Sequence, residues 1–116
     1  MYTLFAAAVV SLVALAAAQP PAPSAENGKK LYMKHTCYFC HGTAGQGSLA
    51  GARVASVARN LQGFTRYVRQ PSGQMPAYTE KILSDQELAD IFAYLRALPA
   101  AKPAREIPLL DQLRPR

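Results

Sequence analysis

Apolar and polar positions are distributed very unevenly along the chain. Residues 1–18 carry no charged side chain, and Leu4 to Ala18 is apolar except for Ser11. Residues 19–23 are uncharged and proline-rich, which prevents a helix and reads as a tether. Ser24 is then a plausible helix N-cap, with Glu26 in the first turn and Gly28, Leu31 and Tyr32 at helical spacing, running to about His35. Thr36 to Gly51 holds four glycines and no period, and reads as loop. Arg53 to Asn60 is ambiguous between a short helix and coil. Leu61 to Gln70 places Phe64, Tyr67 and Val68 at i, i+3 and i+4, a short helix ended by Pro71. Pro71 to Pro76 is a second loop. The clearest element is Ser84 to Leu98: Ser84 and Glu87 have capping-box spacing, and Leu88, Ile91, Phe92, Leu95 and Leu98 form one stripe. Residues 99–116 are proline-rich and aperiodic, which predicts an extended tail. No stretch alternates as a strand does, so the pattern predicts an all-α protein of three to four short helices with long loops.

Length and charge narrow this picture. The chain has 116 residues, with 13 Lys/Arg, 7 Asp/Glu and a net charge of +6. Residues 1–18 end in Ala16-Ala17-Ala18 ahead of Gln19-Pro20, the form of a secretory signal peptide. The run is shorter than the ~20 apolar residues a membrane span needs, so an uncleaved anchor is the weaker reading. The expected location is therefore periplasmic, and residues 24–98 form one domain. There is no Trp and few large apolar residues outside the leader. A domain this small buries only ~60–65% of its surface. Something besides side chains is needed to complete the core.

The candidate chemistry lies in Cys37-Tyr38-Phe39-Cys40-His41. This C-x-x-C-H string is the attachment motif of c-type haem. Two thiols add across two vinyl groups, two intervening residues set their separation, and the next residue lies where an imidazole can bind the iron. Random placement of this chain's Cys and His gives the string on the order of a few times in ten thousand, so accident is a poor explanation. A thioredoxin-like site would expect a βαβ neighbourhood, which is absent from the pattern. A structural disulfide is the bland alternative, and zinc would need four ligands.

The far face of the iron needs a second ligand. Met33 and His35 lie within four residues of Cys37, on the side taken by His41. Met75 lies in the loop stiffened by Pro71 and Pro76, where a rigid backbone can hold a thioether. Core filler is the ordinary role of a methionine, and this loop is a poor place for it. The expected site is thus Cys37 and Cys40 as anchors, His41 and Met75 as axial ligands, with no catalytic residue. Phe39, Phe64, Tyr67 and Tyr78 are candidate pocket walls, with a polar role near the Met75 sulfur considered for Tyr67.

With these residues the sequence resembles the single-haem class I cytochromes c of bacterial periplasms. The resemblance spans Ser24 to Leu98. It rests on Cys37 to Gly42, on Gly73-Gln74-Met75-Pro76 and on the Ser84–Leu98 helix with Tyr94. It implies a cytochrome c fold wrapped around one covalently bound haem. It also implies that first and last helices cross, a small residue on one meeting aromatics on the other, here Gly28 and Tyr32 against Tyr94 with Ile91 beside it. The family commonly places Gly-Pro about ten residues after the haem histidine, where a carbonyl accepts the imidazole proton. This chain has Ala50-Gly51-Ala52 instead, which leaves the identity of that carbonyl open.

A His/Met pair leaves no open coordination position, and the thioether raises the potential. The expected function is one-electron transfer between redox proteins, with no small-molecule substrate. Two alternatives remain: an electron-entry subunit of a larger dehydrogenase, with the tail as docking strap, and a small-ligand binder in which Met75 is displaced. Between Asn27 and Thr79 lie Lys29, Lys30, Lys34, Arg53, Arg59, Arg66 and Arg69 without one acidic residue. That basic segment predicts a partner with an acidic docking surface. An anionic membrane surface is a rival, and nucleic acid is not expected.

Overall fold

The structure is a computed structural model that describes residues 19–57 and 59–113. The expected leader falls outside them. Among the described residues five helices follow in chain order: α1 (Ala25–Lys34), α2 (Cys37–His41), α3 (Leu61–Arg69), α4 (Asp85–Ala97) and α5 (Pro108–Asp111). Among the described residues there is no strand. None of their helices is long and apolar enough to cross a membrane.

Three helix starts follow from local chemistry. The Ser24 hydroxyl accepts from the Asn27 amide and opens α1. Asn60 does the same for α3 through the Gly63 amide. At α4 the capping box is complete: the Ser84 hydroxyl accepts from the Glu87 amide, and the Glu87 carboxylate accepts from the Ser84 amide at 2.8 Å. That bond holds the Glu87 carboxyl below the ordinary glutamate range.

The core sits where α1 meets α4. Leu31 and Tyr32 pack with Leu88, Ile91, Tyr94 and Leu95, joined by Val68 from α3 and Leu83. The Tyr32 and Tyr94 rings lie 5.5 Å apart and tilted. Gly28 faces the α4 backbone so closely that a Cβ would overlap the Asp90 carbonyl. Asp90 then reaches back across the contact. One carboxylate oxygen accepts from the Ser24 amide at 2.8 Å and the other from the Asn27 side chain at 2.7 Å. Gln86 donates to the same carboxylate. Burial pushes the Asp90 carboxyl up, but the three donors outweigh it and hold it below the ordinary aspartate range.

Two expectations are corrected here. The segment expected to be loop from Thr36 contains a helix, α2, which Thr36 opens in the left-handed region at φ 57°. The tail is not simply extended: Ala104–Glu106 forms a 3₁₀ turn and Pro108–Asp111 a helical turn, with Pro108 in the first turn where its missing N–H costs nothing. Arg53 to Asn60 contains no helix among its described residues.

Candidate haem-attachment site

Cys37 and Cys40 stand one helical turn apart on α2, both half-buried and both free thiols. Burial pushes the Cys37 thiol up to about 11. A redox-active C-x-x-C cysteine has its thiol lowered instead, and no strand flanks the motif among the described residues, where a thioredoxin-like site expects a βαβ neighbourhood. Nor do three or more His, Cys, Asp or Glu side chains converge among the described residues, which sets zinc aside.

His41 ends α2, and its Nδ1 lies 2.6 Å from the Ala52 carbonyl oxygen. A carbonyl only accepts, so Nδ1 carries the proton and Nε2 keeps its lone pair for a metal. This answers which carbonyl serves in place of the family's Gly-Pro. The loop reaches His41 because Gly51 lets it: a Cβ there would come within 2.8 Å of the Cys40 carbonyl oxygen. The Ser48 hydroxyl donates to that same carbonyl at 2.6 Å. The two core tyrosines fix the other side of the turn. Tyr32 donates to the Gly42 carbonyl at 2.8 Å and Tyr94 to the Thr43 carbonyl at 3.2 Å. Sequence reasoning treated both as packing residues and missed these bonds.

Met75 is half-buried against the core, as are Cys37, Tyr38, Phe64 and Tyr78. The Met75 loop returns beside α2 through Tyr78, whose hydroxyl donates to the His35 carbonyl at 3.0 Å. The His35 ring stands edge-on to Tyr78. Burial first, then the nearby Cys37 and Cys40 thiols, push the Tyr78 phenol up. Phe64 packs on Phe92 of α4 at 5.4 Å. Tyr67 does not bear out a polar contact to Met75; its hydroxyl pairs with Ser72 at 3.1 Å. Phe39 is a correction. It is 77% exposed, because the two cysteines turn inward and the residue before Cys40 points outward.

Residues 23–95 match the family model described as cytochrome c oxidase, cbb3-type, subunit III. Cytochrome c-555 of Methylococcus capsulatus is 30% identical over 97 residues, covering 81% of this chain and 79% of that protein. The chain belongs to the single-haem c-type cytochromes. No solved structure matches it. A c-type cytochrome binds haem c covalently and carries electrons, which is this chain's function. The donor set fits that group: two free thiols a turn apart, an imidazole with its Nδ1 proton already engaged, and a half-buried thioether near the same core.

Proposed function

We propose that Cys37 and Cys40 form the two thioethers, that His41 Nε2 is the proximal ligand and that Met75 sulfur is the distal one. The observation that carries this is the bond from His41 Nδ1 to the Ala52 carbonyl, which fixes the tautomer that ligation requires. Bound haem c supplies the one-electron couple. The residues do the rest. Gly42 and Thr43, held by Tyr32 and Tyr94, keep His41 from turning. Phe64 and Tyr78 exclude water from the pocket wall. Ligands that stay put in both oxidation states leave little to reorganise when the electron moves. The protein is then a carrier for redox partners in the periplasm and not a catalyst.

The test is the absorption spectrum in both states together with Met75→Ala. The parent shows low-spin thioether-linked haem with a sulfur-to-iron charge-transfer band, and its reduced form does not bind carbon monoxide. Met75→Ala keeps the haem, loses the band and binds carbon monoxide. A parent that binds the gas equally well at neutral pH sinks the distal assignment.

The partner is recognised by charge. Lys29, Lys34 and Arg66 are exposed, Arg53 donates to the Pro99 carbonyl, Arg59 lies over the Tyr67 ring at 4.9 Å and Lys30 pairs with Glu26. The same segment of the chain carries Phe39, exposed between the two cysteines. An acidic redox partner is steered to this face, with association faster by ~10–10³ at low salt. Electron transfer to an anionic acceptor complex slows as salt rises, and a cationic one trends oppositely. A flat salt dependence for both refutes steering.

A further inference from the structure

Arg69 behaves unlike the other basic residues of its segment. It is the last residue of α3, and its side chain is only 19% exposed. Its Nη1 donates to the Tyr78 carbonyl at 2.8 Å and to the Leu83 carbonyl at 2.7 Å. Its Nη2 donates to the Asp85 carboxylate at 2.6 Å. One planar guanidinium therefore meets three acceptors spread over eight residues. A planar fork of fixed donors suits acceptors set this far apart; a lysine ammonium has three donors but all on one atom.

The three acceptors define what is being held. The loop from 70 to 84 leaves α3 immediately after Arg69 and carries Met75. Tyr78 lies three residues beyond Met75, Leu83 closes the loop, and Asp85 begins α4. Weaker ties bracket the same loop. The Tyr78 amide donates to the Val68 carbonyl at 3.1 Å, and Ser72 pairs with Tyr67. Burial in the loop is confined to a few points: Leu83 is buried and Met75 and Tyr78 half-buried, while Ser72, Gly73, Gln74, Pro76 and Ala77 are exposed. Apolar contact anchors the loop at Leu83 and holds part of Met75, and polar ties hold the exposed stretches between.

We propose that Arg69 is a positioning residue that latches the Met75 loop shut, so that its guanidinium, added to the packing of Leu83 and the partial packing of Met75, sets how firmly the distal ligand is held. This rests on the reading of Met75 as that ligand. The carbonyl bonds carry most of the latch. Asp85 is 71% exposed, and an ion pair with so exposed a partner contributes little.

The experiment uses the holoprotein and follows the sulfur-to-iron charge-transfer band against rising pH, where a loosely held thioether is displaced. Arg69→Gln is expected to lower the pH of band loss by about one unit or more, a tenfold shift of the closed-to-open loop equilibrium. Reduced Arg69→Gln is expected to take up carbon monoxide measurably where the parent does not. Arg69→Lys recovers only part of the shift, and Asp85→Asn moves it little. Asp90→Asn, which weakens the α1–α4 contact away from the loop, lowers the melting temperature without moving the band. Should Arg69→Gln not accumulate as folded protein, Arg69→Lys with hydrogen exchange of the Tyr78 amide carries the same test. The proposal is overturned if the Arg69 variants melt lower but keep the parental pH of band loss, or if Asp90→Asn shifts the band as far. A parent without the band refutes Met75 ligation, and this role of Arg69 with it. A parent with the band and an unchanged Arg69 variant refutes the latch alone.

Discussion

The two halves of this cytochrome are built on different terms. The α1–α4 contact closes on itself. Tyr32, Leu88 and Ile91 are almost wholly buried, Gly28 brings two backbones together, and Asp90 satisfies the donors at the start of α1. The other half, from α2 through α3 and the Met75 loop, gives the core cluster Val68 and Leu83 and is otherwise half-open. Cys37, Tyr38, Val54, Val57, Phe64, Met75 and Tyr78 reach the core only with part of their surface. Their backbone is held by bonds from single side chains, Ser48, Tyr78 and Arg69 among them. The first half is a frame, and the second is a wall shaped for a group that is not protein. Apolar area that a helix pair buries by itself is supplied in the second half by haem.

The hardest way to break that comparison is to prevent attachment. Cys37→Ser combined with Cys40→Ser leaves the wall without its centre. Helices of ten residues or fewer are marginal alone, and the frame is too small to make up the loss. The expected outcome is a chain largely unfolded by circular dichroism. A haem-free variant that keeps native helicity would show that the frame stands without the wall.

Gly28 tests the frame directly. A Cβ there overlaps the Asp90 carbonyl, which is backbone and cannot step aside as a side chain would. Gly28→Ala should cost about 3 kcal/mol, since overpacking a close helix contact forces the axes apart. Denaturant unfolding of the holoprotein measures it. A loss under about 1 kcal/mol would mean that the helices slide to accommodate the methyl, and that the frame is looser than its burial implies.

The same division explains what was legible in the sequence. The frame announces itself: Ser84 with Glu87, Ser24, and the Leu88–Leu98 stripe all carry local signals, because each element's partner is another periodic element. The wall does not. α2 reads as loop because Cys37, Tyr38 and Cys40 have no apolar period; two of them are spaced for vinyl groups. The partner of His41 is a backbone carbonyl, which any residue supplies, and the only trace of it is Gly51, whose lack of Cβ permits the approach. Arg69 counts as one more surface cation until the structure shows its acceptors, two of which are again carbonyls. Asp90 reads as one acid in a mixed cluster because two of its three donors lie more than sixty residues away in sequence. The C-x-x-C-H string was legible because covalent chemistry fixes its order.

The smallest effect comes from the titratable group inside the frame. Asp90 is 5% exposed, and its carboxyl sits below the ordinary value of 3.8 because its bonds from Asn27, Ser24 and Gln86 outweigh the cost of burial. A carboxyl depressed in the fold binds fewer protons there than in the unfolded chain, so stability rises with pH across the window between the two values. Its contribution is complete above the unfolded value and is lost as pH falls through the folded one. Asp90→Asn removes that contribution while keeping the shape. One amide oxygen can still accept from Ser24, and Asn27 can turn its own amide to offer oxygen to the new NH₂. The loss at neutral pH is therefore modest, about 1–2 kcal/mol, in the range of a hydrogen bond to a charged group. Melting curves of both proteins as a function of pH should differ most above pH ~5 and converge as acid protonates Asp90 in the parent. Glu26 and Glu87 are also depressed, but they contribute to both curves and cancel in the difference. Two curves that stay parallel down to the acid limb would show that the Asp90 charge does not tie α1 to α4. The frame would then rest on the Gly28 approach and on apolar packing of Leu31, Tyr32, Leu88, Ile91, Tyr94 and Leu95.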